Sequence, residues 1–267
     1  MTRQEASTFA LDLSRPFADE LRRVLLDQAD KARVPLAAEG PTEPVVHAAR
    51  KASKRARAVA YLLRPTIGGT AWRVVDVAFR DAARLLGPLR DADVARHTLG
   101  PDAPPRPDLP DIEARAIGAY QAAYDAAMAL DLQNVGQDAL VAGLAASWRN
   151  ARQASRVLDP TDPETFHDWR KVVKRLFYQV QLISSLDEPV LGSLVKQLDV
   201  LQEALGDHHD TLVAAELTAP TEALLTRRRE LEGQTVPLGR WLFGAGPRRF
   251  ARLLTQTLAE PSVAQGV

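Results

Sequence analysis

Along most of this chain apolar residues recur at spacings of three and four rather than in alternation, the pattern of helices with one buried face. Residues 111–130 and 137–158 show it most plainly. Read from end to end, the pattern predicts an all-α protein. Helices are expected over residues 15–33, over a basic segment that starts at His47, and over 70–86 and 90–98. Further helices are expected over 111–132, 137–158, 163–186 and 189–205, then one after Asp210 and shorter ones over 221–232 and 247–258. Residues 99–111 (LGPDAPPRPDLPD) hold five prolines and read as a loop or linker. The run Thr161-Asp162-Pro163-Glu164 reads as a capping box with proline near the first turn of the helix it opens.

Two segments break the rule that a helical stripe is apolar. In residues 47–57 (HAARKASKRAR) there are five Lys or Arg, one His and no acid. His47, Arg50, Lys51, Lys54 and Arg55 stand at offsets 0, 3, 4, 7 and 8, and His167, Arg170, Lys171, Lys174 and Arg175 repeat the same five residue types at the same offsets. Those offsets share one side of a helix. Like charges at such spacing cost an isolated helix about 0.2–0.5 kcal/mol per pair, and no Glu or Asp relieves the first stripe. An anion that completes the site accounts for this better than an ordinary solvated face. On the second helix, Trp169, Val172, Val173, Leu176 and Val180 occupy the opposite side and read as core.

Composition sharpens the signal. The 267 residues carry 34 basic and 34 acidic side chains, for a formal charge of zero, so the cations have been gathered rather than multiplied. Four of the six lysines lie inside the two stripes. With no cysteine, disulfides, thiolate metal sites and cysteine catalysis are all excluded. No GxxxxGK or GxGxxG string is present, which argues against the familiar nucleotide folds. Neither a signal-peptide core nor an apolar run of about 18 residues appears, so a cytoplasmic protein with no membrane partner is expected.

A second repeated string follows each basic helix. Residues 86–94 (LGPLRDADV) line up with 205–213 (LGDHHDTLV) at a separation of 119, against 120 for the basic stripes. Two motifs recurring in order at nearly one offset imply internal duplication and pseudo-twofold symmetry. The expected organisation is a helical repeat over 1–98, a proline-rich linker over 99–111 and a second helical repeat over 112–267.

These residues carry a family resemblance. A helix of the form His-x-x-Arg-x-x-x-(Lys/Arg)-Arg, repeated and each time followed by Leu-Gly-x-x-(Arg/His)-Asp, resembles the CHAD domain, the conserved histidine α-helical domain. The closing Trp241-Leu242-Phe243, with Pro247 and Phe250, is similar to the family's C-terminal segment. The resemblance implies two four-helix bundles whose basic helices line a shared central groove, binding of inorganic polyphosphate there without catalysis, and association with polyphosphate granules and their proteins. It implies ligand contacts from His47, Arg50, Lys54, Arg55, Arg57, His167, Arg170, Lys174, Arg175 and the aromatic Tyr178. Phe177 departs from the family's pattern, standing where the first stripe has Arg57, and Lys51 and Lys171 are extra contacts or flank the groove. From the repeated string, Arg90 and His209 add candidate phosphate contacts, and Asp91, Asp93 and Asp210 read as positioning or capping groups.

Arg73, Arg80 and Arg84 fit an extension of the groove and, interleaved with Asp76 and Asp81, fit a solvated face equally well. Other functions fare worse. Phosphoryl transfer through His47 or His167 would need carboxylates holding Mg²⁺, and a metal site would have to form among repelling cations, so no cofactor or metal is expected. A nucleic-acid module would share the phosphate contacts. The first stripe has no aromatic residue for base stacking, however, and aromatics make up 6% of the chain.

Overall fold

A computed structural model describes residues 9–159, 162–218 and 221–259. The fold is all-helical, with no strand among the described residues. Among the described residues ten α-helices follow in order: α1 (Phe17–Glu39), α2 (Glu43–Ile67), α3 (Ala71–Leu85), α4 (Gly87–Leu99), α5 (Ile112–Met128), α6 (Gln137–Ala154), α7 (Pro163–Ile183), α8 (Ser193–Thr218), α9 (Glu222–Leu242) and α10 (Pro247–Ala259). The chain divides into two compact units, Met1–Ala139 and Leu140–Val267.

In the first unit α1 packs on α2, α2 on α3, α3 on α5 and α5 back on α1, which closes a four-helix bundle, with α4 alongside α2. Each wall follows from its apolar spacing. Leu21, Val24, Leu25, Ala29, Ala32 and Leu36 are buried on α1; Val75, Phe79 and Ala82 on α3; Ile112, Ala116, Tyr120, Ala123 and Ala127 on α5. The inner face of α2 is built largely from alanine, including Ala49, Ala52, Ala56 and Ala60, so neighbouring backbones approach it closely. One polar cluster sits inside: the Ser53 hydroxyl and the Tyr120 phenol lie 2.8 Å apart, and both donate to the Ala49 carbonyl. Burial there pushes the Tyr120 phenol up to about 12. The turn between α1 and α2 depends on Gly40 at φ 69°, a left-handed backbone that disfavours other residues.

The boundary between units corrects the expected domain limits. Residues 99–111 connect α4 to α5 inside the first unit rather than linking two repeats, because α5 buries its apolar face against α1 and α3. Arg106 holds this connection down, pairing with Asp93 at 3.0 Å and donating to the Pro41 carbonyl at 2.6 Å.

In the second unit α8 packs against both α7 and α9. Asp162 caps α7, its carboxylate accepting from the Glu164 amide at 3.0 Å with Pro163 in the first turn; Thr161, the other residue of the expected capping box, lies outside the described residues. Trp148 of α6 stacks on Phe250 of α10, with ring centroids 4.2 Å apart, and donates to the Ala245 carbonyl at 2.9 Å. Arg152 donates to the Phe243 carbonyl, so α6 fixes the α9–α10 turn at two points.

Three other expectations need correcting. One helix, α8, spans 193–218, where two were expected. The two copies of the Leu-Gly string explain why: Pro88 lacks an amide hydrogen and sits at the start of α4, so the chain breaks at Leu86, whereas Asp207 stands at the matching place and the helix runs on. Helix α9 is longer than expected and continues through Pro237 to Leu242, and α1 continues through Pro35 to Glu39.

Trp169 of α7 is fully buried, and a Cβ placed on Gly239 of α9 would overlap its ring atoms Cζ2 and Cη2. Gly239→Ala is therefore expected to cost about 1–3 kcal/mol through overpacking, despite the better helix propensity of alanine. Chemical denaturation of the purified variant checks this; an unchanged or higher midpoint would contradict the packing.

Candidate functional site

The first basic helix presents its stripe unevenly. At about 100° per residue, Lys54, Arg57 and His47 fall roughly 40°, −20° and 60° from Arg50, while Lys51 and Arg55 fall roughly 100° and 140° away. The structure sorts them accordingly. Arg50, Lys54 and Arg57 line a cleft between α2 and α3 with a volume of about 280 Å³. Arg55 is only 5% exposed, and its guanidinium lies 4.7 Å from the centre of the Phe9 ring, a cation–π contact within the bundle wall. Lys51 is half-buried and His47 exposed, and neither lines the cleft.

The opposite wall belongs to α3. Arg80 and Arg84 complete the lining with Ser53 and Ala83, so five of seven lining residues are cationic and none is acidic or aromatic. The cations are held in place. Arg50 donates to the Ala83 carbonyl at 2.7 Å, Arg57 pairs with Asp76 at 2.9 Å and Arg80 with Asp81 at 3.0 Å. Burial, and then the nearby Arg90, lowers the Arg50 guanidinium from its ordinary value. A high reference value leaves such a group cationic at neutral pH.

Arg90 itself is exposed and pairs with the exposed Asp91 at 3.2 Å. Asp93 takes a different part from the one expected: it is buried and engages Arg106, securing the proline-rich connection rather than a stripe side chain. Of Arg73, Arg80 and Arg84, which the sequence left undecided, Arg73 does not line the cleft, and Arg80 and Arg84 do. Their spacing of four signals a shared helix face, but only the packing of α3 on α2 shows which side chains that face meets.

On α7 the equivalent positions differ one by one: Lys174 is half-buried where Lys54 is exposed, while Lys171 is exposed where Lys51 is half-buried. Arg170 and Arg175 are half-buried, and the exposed Lys171 pairs with Asp168 at 2.9 Å. Burial, and then Arg170, holds the Lys174 ammonium below its ordinary value, while Asp199, Asp210 and Glu203 of α8 act in the opposite direction. Asp210 thus acts electrostatically on Lys174. Tyr178 and Phe177 are both buried, with rings 5.2 Å apart, so Tyr178 belongs to the wall of the unit rather than to an exposed face.

The α7 stripe begins in a histidine pair. The His167 and His209 rings lie 5.0 Å apart, and burial, followed by Lys171, lowers the His167 imidazole from its ordinary value. The neighbouring His208 faces inward, stacked on Phe166 at 4.5 Å and 3.1 Å from Glu232. Among the described residues, no group of three or more His, Cys, Asp or Glu side chains is arranged to hold a metal ion, and no helix is long and apolar enough to cross a membrane.

Comparison with known proteins agrees with this architecture. The chain is similar to the crystal structure of the CHAD domain from the plant Ricinus communis, with a TM-score of 0.60 at 19% identity over 88% of this chain and 94% of that one. No curated protein matches the sequence. The CHAD domain matches residues 20–219, a span that contains both basic helices and both Leu-Gly strings and ends before the Trp241–Phe250 region in which a resemblance was also read. With that match covering well over half of its length, the chain belongs to the CHAD domain family.

Proposed function

We propose that this protein binds inorganic polyphosphate, without transforming it, through the cationic faces of α2 and α7. The observation that carries this reading is the α2–α3 cleft, where Arg50, Lys54, Arg57, Arg80 and Arg84 converge with no carboxylate or aromatic ring among the lining residues. Polyphosphate is a chain of repeating anionic units with no bases. Its binder needs several cations in a row and no groups that read base edges. Guanidinium forks match phosphate oxygens with charge-assisted hydrogen bonds, while a lysine contributes a movable point charge. Family membership supports the same ligand, since the CHAD resemblance implies polyphosphate binding. In this reading the protein acts in the cytoplasm at polyphosphate granules, and granule proteins are its candidate partners.

The residues lining the cleft are cations, a serine and an alanine, and the nearby carboxylates Asp76 and Asp81 are engaged by Arg57 and Arg80. That arrangement favours holding phosphate over phosphoryl transfer. It also offers no stacking platform for bases, which favours polyphosphate over single-stranded nucleic acid. Binding by such a site is dominated by charge and falls steeply with salt.

Titrating the purified protein with long-chain polyphosphate, RNA and DNA of matched charge, at low and high salt, tests the proposal. Tight, salt-sensitive binding that prefers polyphosphate is expected. Changing Arg50, Lys54, Arg170 and Lys174 together to alanine is expected to weaken it by about a hundredfold or more, taking roughly 1 kcal/mol or more per lost charged hydrogen bond, while the helical circular dichroism stays intact. Equal or tighter binding to nucleic acid, or an unaffected variant, overturns the assignment.

A pH dependence follows from His167. Around it stand Lys171, Arg170, Asp168 and Glu164 on α7 and the His209 ring on α8. Its proton affinity in the free protein is below the ordinary histidine value, and a bound phosphate raises it, so binding takes up a proton. Affinity is expected to rise as pH falls from 8 towards 6 and to level off below the depressed value of the free protein. His167→Gln flattens the slope. A flat profile in the folded wild-type protein removes this role for His167.

A further inference from the structure

We infer that the α2–α3 cleft is by itself a seat for a short condensed phosphate of about the size of tripolyphosphate, with Arg80 and Arg84 of α3 as ligand-binding residues. This rests on the phosphate reading above and narrows it to one cleft in one unit. Its dimensions suit a compact ligand. A volume of about 280 Å³ lies near the lower end of small-molecule sites, about 300–1,000 Å³, and Arg50 to Arg57 covers about 10 Å of helix. That length takes a few linked phosphates rather than an extended polymer.

The cleft also has two cationic walls, not one. Arg80 and Arg84 stand four residues apart on α3 and face the α2 stripe across the opening. Both pair with Asp81, which is 54% exposed, 3.0 Å from Arg80 and 4.0 Å from Arg84, and Asp76 also acts on Arg80 through space. Exposed pairs of this kind are worth about 1 kcal/mol or less, so Asp81 orients the two guanidinium groups and yields them to a multiply charged anion. Asp76, which is 18% exposed, orients Arg57 at 2.9 Å. Five cations thus line the cleft with no acid among the lining residues, while Asp76 and Asp81 pair with three of them and Asp91 acts on Arg50 from outside the lining.

The α7 stripe lacks this arrangement. The residue in place of Arg57 is Phe177, at 7% exposure. Lys171 is tied to Asp168, and Lys174 is balanced by Asp199, Glu203 and Asp210. Repeated residue types have therefore produced electrostatically unequal faces, and the compact anion site belongs to the first.

Calorimetric titration with inorganic tripolyphosphate and, separately, with long-chain polyphosphate tests this on the full chain. Tripolyphosphate is expected to bind the wild type, and Arg80→Ala with Arg84→Ala is expected to weaken it at least about tenfold. Asp81→Asn should tighten it by about twofold or more, because the competing carboxylate is gone; a merely structural role for Asp81 would not produce a gain. Arg170→Ala with Lys174→Ala should cost long-chain binding at least about tenfold more than tripolyphosphate binding. Long-chain binding without tripolyphosphate binding, or weaker binding in the Asp81→Asn variant, overturns the inference and leaves the polymer reading standing. If neither ligand binds the folded wild type, both fail together.

Discussion

The cationic face of α2 exists because its opposite face is buried. Placing Arg50, Lys54 and Arg57 on one side of a helix builds in repulsion that an isolated peptide would relieve by fraying. In the bundle, Val45, Val46, Val59, Leu62 and Leu63 are buried, and each such side chain contributes about 1.5–3 kcal/mol. That exceeds a few like-charge pairs at about 0.2–0.5 kcal/mol each. The alanines between them let α1 and α3 approach closely, and this approach brings Arg80 and Arg84 opposite the stripe. The cleft is a by-product of how the core is packed.

Anchoring matters as much as charge. Arg50 on the Ala83 carbonyl and Arg57 on Asp76 are restrained before any ligand arrives, so less side-chain entropy is lost on binding. Arg55 shows what happens at the edge of such a face. Its guanidinium leaves the stripe for the Phe9 ring, and a residue that reads as a ligand contact by type and offset becomes part of the wall. Tyr178 and Asp93 moved in the same way, from expected site roles to a buried ring and an anchor for Arg106.

Much of the helical order was legible because long amphipathic periods are strong local signals. The predicted spans 70–86 and 137–158 lie within about four residues of α3 and α6 at each end. The failures have local causes. The expected spans 15–33 and 221–232 end before Pro35 and Pro237, yet α1 and α9 continue through them. The expected helices break at the Leu-Gly string in both copies, and only the copy with Pro88 breaks the helix. The proline-rich connection read as a boundary between repeats, because composition reports a loop but not which bundle the following helix joins.

By itself, the sequence determined that the chain is all-α, that cations of fixed type recur at helical spacing 120 residues apart, and that they resemble the CHAD domain. Those are properties of residue type and spacing, and a helix converts spacing into a shared face by geometry alone. Tertiary structure decided which cations face a cleft, which are matched by acids and where the chain divides into units. Each of those depends on the neighbour a face meets, and no local periodicity encodes the neighbour. The two stripes carry the same letters, and they differ because α3 sets Arg80 and Arg84, with Asp76, against one, while α8 sets Asp199, Glu203 and Asp210 near Lys174 of the other.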